Sequence, residues 1–164
     1  MLLADNAQFT LDHSRSAAYD IVLLAHVLSA LVGLGAVLVA GAYALALRRS
    51  GAAGEVVRRY YRPGVNWGGR VLYLVPVLGV VLVAMGDGDW SYADGWITAG
   101  LMLWALVTVA AELVLWPAER RIQAAVEDPG SSTDLRSECR RVTITAVVVA
   151  VLLVTATVVM VAKP

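Results

Sequence analysis

The sequence predicts an all-α protein in which four helices cross a membrane as one bundle joined by short loops. Of its 164 residues, 59% are hydrophobic and 16% are charged, whereas soluble domains contain roughly 45–50% apolar and about 25% charged residues. The apolar residues fall in four blocks, and a helix needs about 20 residues to cross the hydrocarbon core. Basic and acidic segments alternate between the blocks. We therefore expect a single membrane domain over residues 1–164.

The first predicted span covers about residues 19–47, which is longer than a membrane requires, so that it should tilt or extend beyond the membrane. The residues before it are acidic and lack the basic and apolar regions of a cleaved signal peptide, so we expect it to be retained as an anchor. The second apolar block, Val71–Met85, is short, so the second predicted span is extended to about 67–86; this includes Arg70, whose long side chain can reach the headgroups. Pro76 predicts a kink in it, since proline cannot donate the helical hydrogen bond.

The third predicted span covers about residues 96–117 and the fourth about 142–162. The segment between the first and second spans and the segment between the third and fourth are both rich in arginine: Arg48, Arg49, Arg58, Arg59, Arg62 and Arg70 in one, and Arg120, Arg121, Arg136, Arg140 and Arg141 in the other. The segment between the second and third spans is acidic: Asp87, Asp89 and Asp94. By the positive-inside rule the arginine-rich loops are cytoplasmic and both termini lie outside.

This orientation predicts two aromatic belts at the membrane surfaces, an outer one of Trp90, Tyr92 and Trp96 and an inner one of Trp67 and Trp116. The expected location is the bacterial inner (cell) membrane, and the high content of alanine, valine and arginine resembles that of GC-rich actinobacterial proteomes.

The first arginine-rich loop predicts a short interfacial helix. Residues 55–62 read EVVRRYYR, which puts apolar and basic side chains on different helical sides: Val56, Val57 and Tyr60 on one, and Arg58, Arg59 and Arg62 on the other. This pattern is typical of a helix that lies on anionic lipid. A docking site for a cytoplasmic partner is the alternative. The second arginine-rich loop, 124–137, is expected to be a flexible connector.

His26 is one of two ionisable side chains expected well inside a span. Its helical face carries small residues, which allow close helix packing and indicate that it points into the bundle or towards a partner protein: Ala30, Gly33, Ala40 and Ala44. The favoured interpretation is a neutral imidazole that is hydrogen-bonded to a neighbouring helix, with Thr98 or Thr157 as candidate partners. The alternatives are a ligand for haem b or copper, completed by Met85, Met102 or Met160, and a role in proton handling.

Glu112 is the second such side chain, near the cytoplasmic end of the third span. Arg70 lies at a comparable depth, so we expect a structural ion pair between Arg70 and Glu112. The alternative is a proton-conducting carboxylate, although His26 would lie about 20 Å away along the bundle. Glu119 is expected to lie at a helix end at the membrane interface, within a turn of two arginines.

The sequence indicates no enzyme and no metal centre. It contains no phosphate-binding loop, no zinc-protease motif and no paired catalytic carboxylates, and its single cysteine, Cys139, excludes a disulfide or a cysteine cluster within one chain. The short basic loops are topological signals, so we expect no nucleic-acid partner.

Three short segments suggest a family: His26-Val27-Leu28-Ser29-Ala30 followed by Gly33-Leu34-Gly35, then Arg62-Pro63-Gly64-Val65-Asn66-Trp67, then Trp116-Pro117-Ala118-Glu119-Arg120-Arg121. Over about residues 19–122 the chain resembles the small bacterial integral membrane proteins grouped as DUF2269. This resemblance implies a four-helix membrane protein without an established activity. The first span, with a histidine followed by a glycine, is also similar to copper-resistance membrane proteins of the CopD type. This similarity depends on His26 alone.

The absence of a complete site in the sequence, together with its short loops and small-residue helix faces, favours an accessory or assembly subunit of a larger membrane complex, such as a respiratory one. We thus expect the bilayer and other membrane subunits as partners. The alternatives are a haem- or metal-binding protein that uses His26, and a small transporter or proton-path protein that uses Glu112.

Overall fold

The computed structural model describes residues 2–51, 53–86, 91–128, 130 and 132–162, with side chains from residue 17 onward. Within these ranges the chain is helical and has no strand, so the predicted all-α class is confirmed. Four helical segments are long and apolar enough to cross a membrane: Ala17–Ser50, Trp67–Met85, Gly95–Glu127 and Leu135–Ala162. Below they are called the first to fourth spans. Trp90, Asp87 and Asp89 of the predicted acidic side lie outside the described residues.

The described residues form seven α-helices, of which all but α2 belong to the spans. The ranges are α1 Leu2–Ser50, α2 Glu55–Tyr60, α3 Trp67–Arg70, α4 Leu74–Met85, α5 Gly95–Ala110, α6 Trp116–Glu127 and α7 Leu135–Ala162. A 3₁₀ turn, Val71–Tyr73, joins α3 to α4, and a π-helical turn, Ala111–Leu115, joins α5 to α6. The second and third spans are therefore continuous helical rods with one irregular turn each.

Several helices are longer than the apolar blocks that predict them. The first continues over 49 residues, about 70 Å at 1.5 Å per residue, and the third continues through charged sequence to Glu127. Apolar sequence ends where the membrane ends, but Arg, Glu, Gln and Ala all favour helix in water as well. The segment 124–137, which was expected to be a flexible connector, is thus helical at both ends, up to Glu127 and from Leu135 onward. Glu119 lies inside a helix, and the prediction that it lies at a helix end is wrong.

The first and fourth spans form the centre of the bundle. The first packs against the fourth and the second, and the fourth also packs against the third. Their contacts build one core of small and branched side chains: Val37, Ala40, Ala44, Leu47, Val107, Ala111, Leu115, Val142, Ala146 and Val149. The small-residue face of the first span is therefore buried within the chain. The second and third spans reach each other mainly through long polar and aromatic side chains.

Two glycines on the first span set its distance from its neighbours. A Cβ atom on Gly33 would collide with the buried side chain of Leu72 in the second span. A Cβ atom on Gly41 would lie 2.7 Å from the Cβ of Ala146 in the fourth span. By contrast, nothing lies within 4 Å of the corresponding position on Gly35. Small residues allow helix axes to approach closely in membranes, and here Gly33 and Gly41 are required for that approach.

A side chain of the third span bonds to the backbone carbonyl that Pro76 leaves free in the second span. Pro76 has no amide hydrogen, so it cannot bond to the carbonyl of Leu72 four residues earlier. The indole Nε1 of Trp104 donates a hydrogen bond of 3.1 Å to that carbonyl. A neighbouring helix commonly satisfies a carbonyl that proline frees inside a membrane. Trp104 thus joins the two spans that lack close backbone packing.

Large apolar side chains cover the outside of all four spans and imply contact with lipid: Ile21, Leu28, Leu31, Val77, Met102, Leu113, Val151 and Val158 are each about half exposed or more. Of the predicted aromatic belts, Trp67 is 75% exposed, whereas Trp116 is only 4% exposed and belongs to the core. The assignment of Trp116 to a lipid-facing belt is therefore wrong, because its ring packs against Arg70 and Tyr73.

The predicted short helix between the first two spans is present as α2. Its basic side chains Arg58 and Arg59, and Arg62 just after it, are exposed. The predicted apolar side is divided, since Val57 and Tyr60 pack on the core while Val56 is 66% exposed. The loop is held to the bundle by Tyr61, which is fully buried and whose hydroxyl is 3.5 Å from the carbonyl oxygen of Ala40.

Candidate functional site

Two clusters of polar and aromatic side chains lie at the arginine-rich end of the bundle. The first, called the Arg70 cluster, consists of Arg70, Tyr73, Glu112 and Trp116. Arg70 Nη1 lies 3.0 Å from Glu112 Oε1, which is ion-pair distance. The guanidinium carbon lies 3.6 Å from the centroid of the Trp116 ring, and the Tyr73 hydroxyl donates to Glu112 Oε1. The cation is thus held by a carboxylate on one side and an aromatic face on the other.

Local backbone structure positions this cluster. Arg70 ends α3, and Glu112 lies in the π-helical turn that precedes α6. A π turn accommodates one extra residue and shifts the helical phase of the residues after it. Here Ala111 and Leu115 of that turn are buried, while the side chain of Glu112 is 41% exposed and that of Arg70 is 28% exposed. The pair therefore closes the edge of the bundle between the second and third spans.

The second cluster, called the Glu119 cluster, consists of Glu119, Tyr60 and Asn66. Glu119 is 4% exposed, and its Oε1 accepts hydrogen bonds of 3.2 Å from both the Tyr60 hydroxyl and the Asn66 amide. The Asn66 Oδ1 in turn accepts from the Gly69 amide and so caps α3. Glu119 therefore fixes the first arginine-rich loop to the third span, a role that sequence reasoning missed.

Two further contacts support the Glu119 cluster. The Tyr60 ring stacks on Tyr43 of the first span with centroids 4.4 Å apart. Burial and the nearby Glu119 carboxylate raise the pKa of the Tyr60 hydroxyl well above its usual value, so that this group stays a hydrogen-bond donor. Gly69 lies between the clusters, since a Cβ atom on it would be 3.2 Å from the Trp116 indole nitrogen and 3.8 Å from Asn66 Cγ. The two clusters are thus neighbours.

Replacing Glu119 with alanine is expected to destabilise the protein by about 2 kcal/mol, because the Tyr60 hydroxyl and the Asn66 amide would lose their acceptor in a buried position. Trypsin should also cleave the loop at Arg58 or Arg59 faster than in the wild type. The measurements are unfolding in mixed detergent and SDS micelles, and limited proteolysis. Glu127→Ala on the same helix is the control, since Glu127 is exposed. Equal effects of the two substitutions would contradict this role.

His26 lies away from both clusters, towards the opposite end. Its Nδ1 is 2.9 Å from the carbonyl oxygen of Val75 in the second span. The expected partners bond elsewhere, so that expectation is wrong: the Thr98 hydroxyl donates to the carbonyl of Tyr92 in the preceding loop, and the Thr157 hydroxyl donates to the carbonyl of Leu153 in its own helix. Because a carbonyl only accepts, Nδ1 carries the proton, and in a neutral ring the lone pair is then on Nε2.

Two of the methionines considered with His26 have other surroundings. Met102 is 66% exposed on the outside of the third span. Met160 packs against Gly100, where its Sδ would lie 3.6 Å from an added Cβ atom. Met102 and Met160 are thus placed differently from the predicted ligands of a His26 site. By contrast, the predicted partners Arg70 and Glu112 are in contact.

Comparison with protein families gives one match: the model described as "Predicted integral membrane protein (DUF2269)" matches residues 20–164. No curated protein and no solved structure was found to match the chain. The match extends beyond the residues on which the resemblance was based and includes all four spans. The chain therefore belongs to the DUF2269 family of integral membrane proteins.

Proposed function

We propose that this protein is a non-catalytic accessory or assembly subunit of a larger membrane complex. One observation carries the proposal. The first span has no fully buried residue over positions 17–28, whereas seven residues are buried over positions 29–47: Ser29, Gly33, Val37, Ala40, Gly41, Ala44 and Leu47. About three turns of an apolar helix are thus available for packing against the helix of another subunit, where van der Waals contact drives association.

The polar clusters support the same proposal. The Arg70–Glu112 pair joins the second and third spans, Glu119 joins the first loop to the third span, and His26 joins the first and second spans. Each of these polar groups therefore stabilises the arrangement of helices, as expected of a scaffold. The proposal includes the bacterial cell membrane as location, with both termini outside the cytoplasm, since both arginine-rich loops lie at the same end.

The test is purification of the tagged protein from its native membrane in mild detergent, followed by mass spectrometry. We expect a stoichiometric membrane-protein partner. The double substitution Ile21→Trp/Leu28→Trp should release it, because both side chains are exposed on the first half of the first span. Val151→Trp/Val158→Trp on the fourth span has the same spacing and similar exposure and should retain the partner. Elution of the wild type alone as a monomer would overturn the proposal.

The geometry of His26 favours a second candidate, a binding protein for haem b or copper. Metal-bound histidine commonly donates one ring nitrogen to a backbone carbonyl, which fixes the tautomer and leaves the other nitrogen as ligand. The bond from Nδ1 to Val75 has this arrangement. The test is a visible spectrum and metal analysis of the purified protein, with His26→Gln as control. If the wild type shows neither a Soret band nor stoichiometric copper, this candidate is eliminated.

A further inference from the structure

A cavity of about 270 Å³ lies where the first span ends and the fourth begins. Its walls come from two segments that are distant in sequence, Leu47–Gly51 and Leu135–Cys139. Gly51 has a φ of 69° and so lets the chain turn away sharply after the first helix. The cavity is thus a product of the fold, and it is separate from both polar clusters and from His26.

Three arginines line this cavity, Arg48, Arg49 and Arg136, of which Arg48 is partly buried and the other two are exposed. In the part of the chain that the structure describes, no carboxylate lies within ion-pair distance of any of them. The acidic residues of the adjoining segment are engaged elsewhere. Glu138 bonds to Arg121 at 3.4 Å and to Arg141 at 3.2 Å, and Asp134 accepts from the Ser137 amide. The cavity therefore carries concentrated positive charge without a counterion from the described residues.

The surroundings indicate what kind of anion fits. Arg48 and Arg49 directly follow the apolar part of the first span, at the level where lipid headgroups lie. Leu47 and Leu135 give the cavity an apolar wall beside the charged groups. Guanidinium groups bind phosphate in a bidentate manner, and basic pockets between membrane helices bind anionic lipid headgroups. A lipid has an anionic headgroup joined to apolar chains, so it matches both the arginines and the leucines that line the cavity.

We propose that this cavity binds the phosphate group of an anionic membrane phospholipid. The site differs from the arginines of α2, because its charges come from two spans that only the folded bundle brings together. Binding there would hold the ends of the first and fourth spans against each other. It is independent of whether the protein is a subunit of a complex or binds a ligand at His26.

The protein is first placed in nanodiscs of phosphatidylcholine and phosphatidylglycerol. It is then transferred to detergent, and native mass spectrometry identifies the lipid that stays bound. The wild type should retain one phosphatidylglycerol, and Arg48→Gln/Arg49→Gln/Arg136→Gln should retain at least about tenfold less, since the attraction of three basic groups for an anionic lipid is removed. The control Arg59→Gln/Arg62→Gln/Arg120→Gln removes the same charge from exposed positions at the same end and should retain the lipid. Equal loss in both triple variants would overturn the site, because charge alone would then explain binding.

Two further arms complete the experiment. Arg48→Lys/Arg49→Lys/Arg136→Lys preserves the charge and the fold but not bidentate pairing, and should show intermediate retention; retention equal to that of the wild type would contradict phosphate coordination by the guanidinium groups. Inorganic phosphate is added to protein in discs that contain phosphatidylglycerol and should fail to compete with this lipid for the site. If inorganic phosphate displaces the lipid at a comparable concentration, the claim that the bound phosphate group belongs to a lipid is overturned.

Discussion

Replacing Gly41 with alanine is expected to destabilise the bundle by about 2 kcal/mol, within the range for overpacking a well-packed core. The added Cβ would lie 2.7 Å from the Cβ of Ala146, and no rotamer change can move a Cβ atom. The first and fourth spans must therefore separate, which disturbs the contacts of neighbouring buried residues such as Val37 and Val149. The loss should appear as unfolding at lower SDS fraction in mixed micelles.

Gly35 provides the matched control on the same helix, because nothing lies within 4 Å of its added Cβ. Gly35→Ala should leave the stability unchanged or raise it by up to about 1 kcal/mol, since alanine favours helix over glycine. The two substitutions are chemically identical and six residues apart, so opposite outcomes isolate the helix contact. If Gly41→Ala unfolds at the same SDS fraction as Gly35→Ala, the first and fourth spans do not pack as closely as described.

Replacing Arg70 with methionine is expected to cost about 2 kcal/mol, because it leaves the Glu112 carboxylate at the membrane edge without its cation. Breaking a fully buried pair costs about 3–5 kcal/mol, and we expect less here because the two side chains are 28% and 41% exposed. The double variant Arg70→Met/Glu112→Leu should recover at least half of the loss, since no unpaired charge remains and methionine can still pack on Trp116.

The measurement is a double-mutant cycle in the same detergent and SDS micelles, with a coupling energy of more than about 1 kcal/mol as the expected result. Glu112→Leu alone should also destabilise, because it leaves Arg70 uncompensated. Additive effects of the two single substitutions would mean that the contact of 3.0 Å contributes no stability. In that case Glu112 would be available for other chemistry, such as proton conduction.

The fold was predictable because a membrane imposes strong constraints. Backbone groups in lipid must bond within their own helix, so hydropathy alone locates the spans, and a family match supports the result over residues 20–164. Arg70 and Glu112 were predictable as a pair for a related reason, since a charge in a span needs an opposite charge at a similar depth. These features were predictable from the sequence because the lipid environment restricts where polar and charged groups can lie, and not because of the helix propensities of individual residues.

The rest of the candidate site depends on contacts that leave no sequence signal. Glu119 bonds to Tyr60 and Asn66, which are 59 and 53 residues away, and the π turn before it shifts its helical phase from that of a regular helix. The partner of His26 is a backbone carbonyl, a group that every residue possesses. Asn66 just before a short helix was the one local hint, because asparagine is a preferred N-cap residue.

The packing of the first span against the fourth has a consequence for biosynthesis. Helices of a membrane protein leave the ribosome in order, so the first span waits in the bilayer until the last one has been inserted. During that interval the face that contains Val37, Ala40 and Ala44 lacks its final neighbour. A chain that stops before residue 135 would keep this face open permanently, and it should be recognised as an orphan by membrane chaperones and proteases. We therefore expect a nascent chain to become resistant to degradation only when its last helix is complete.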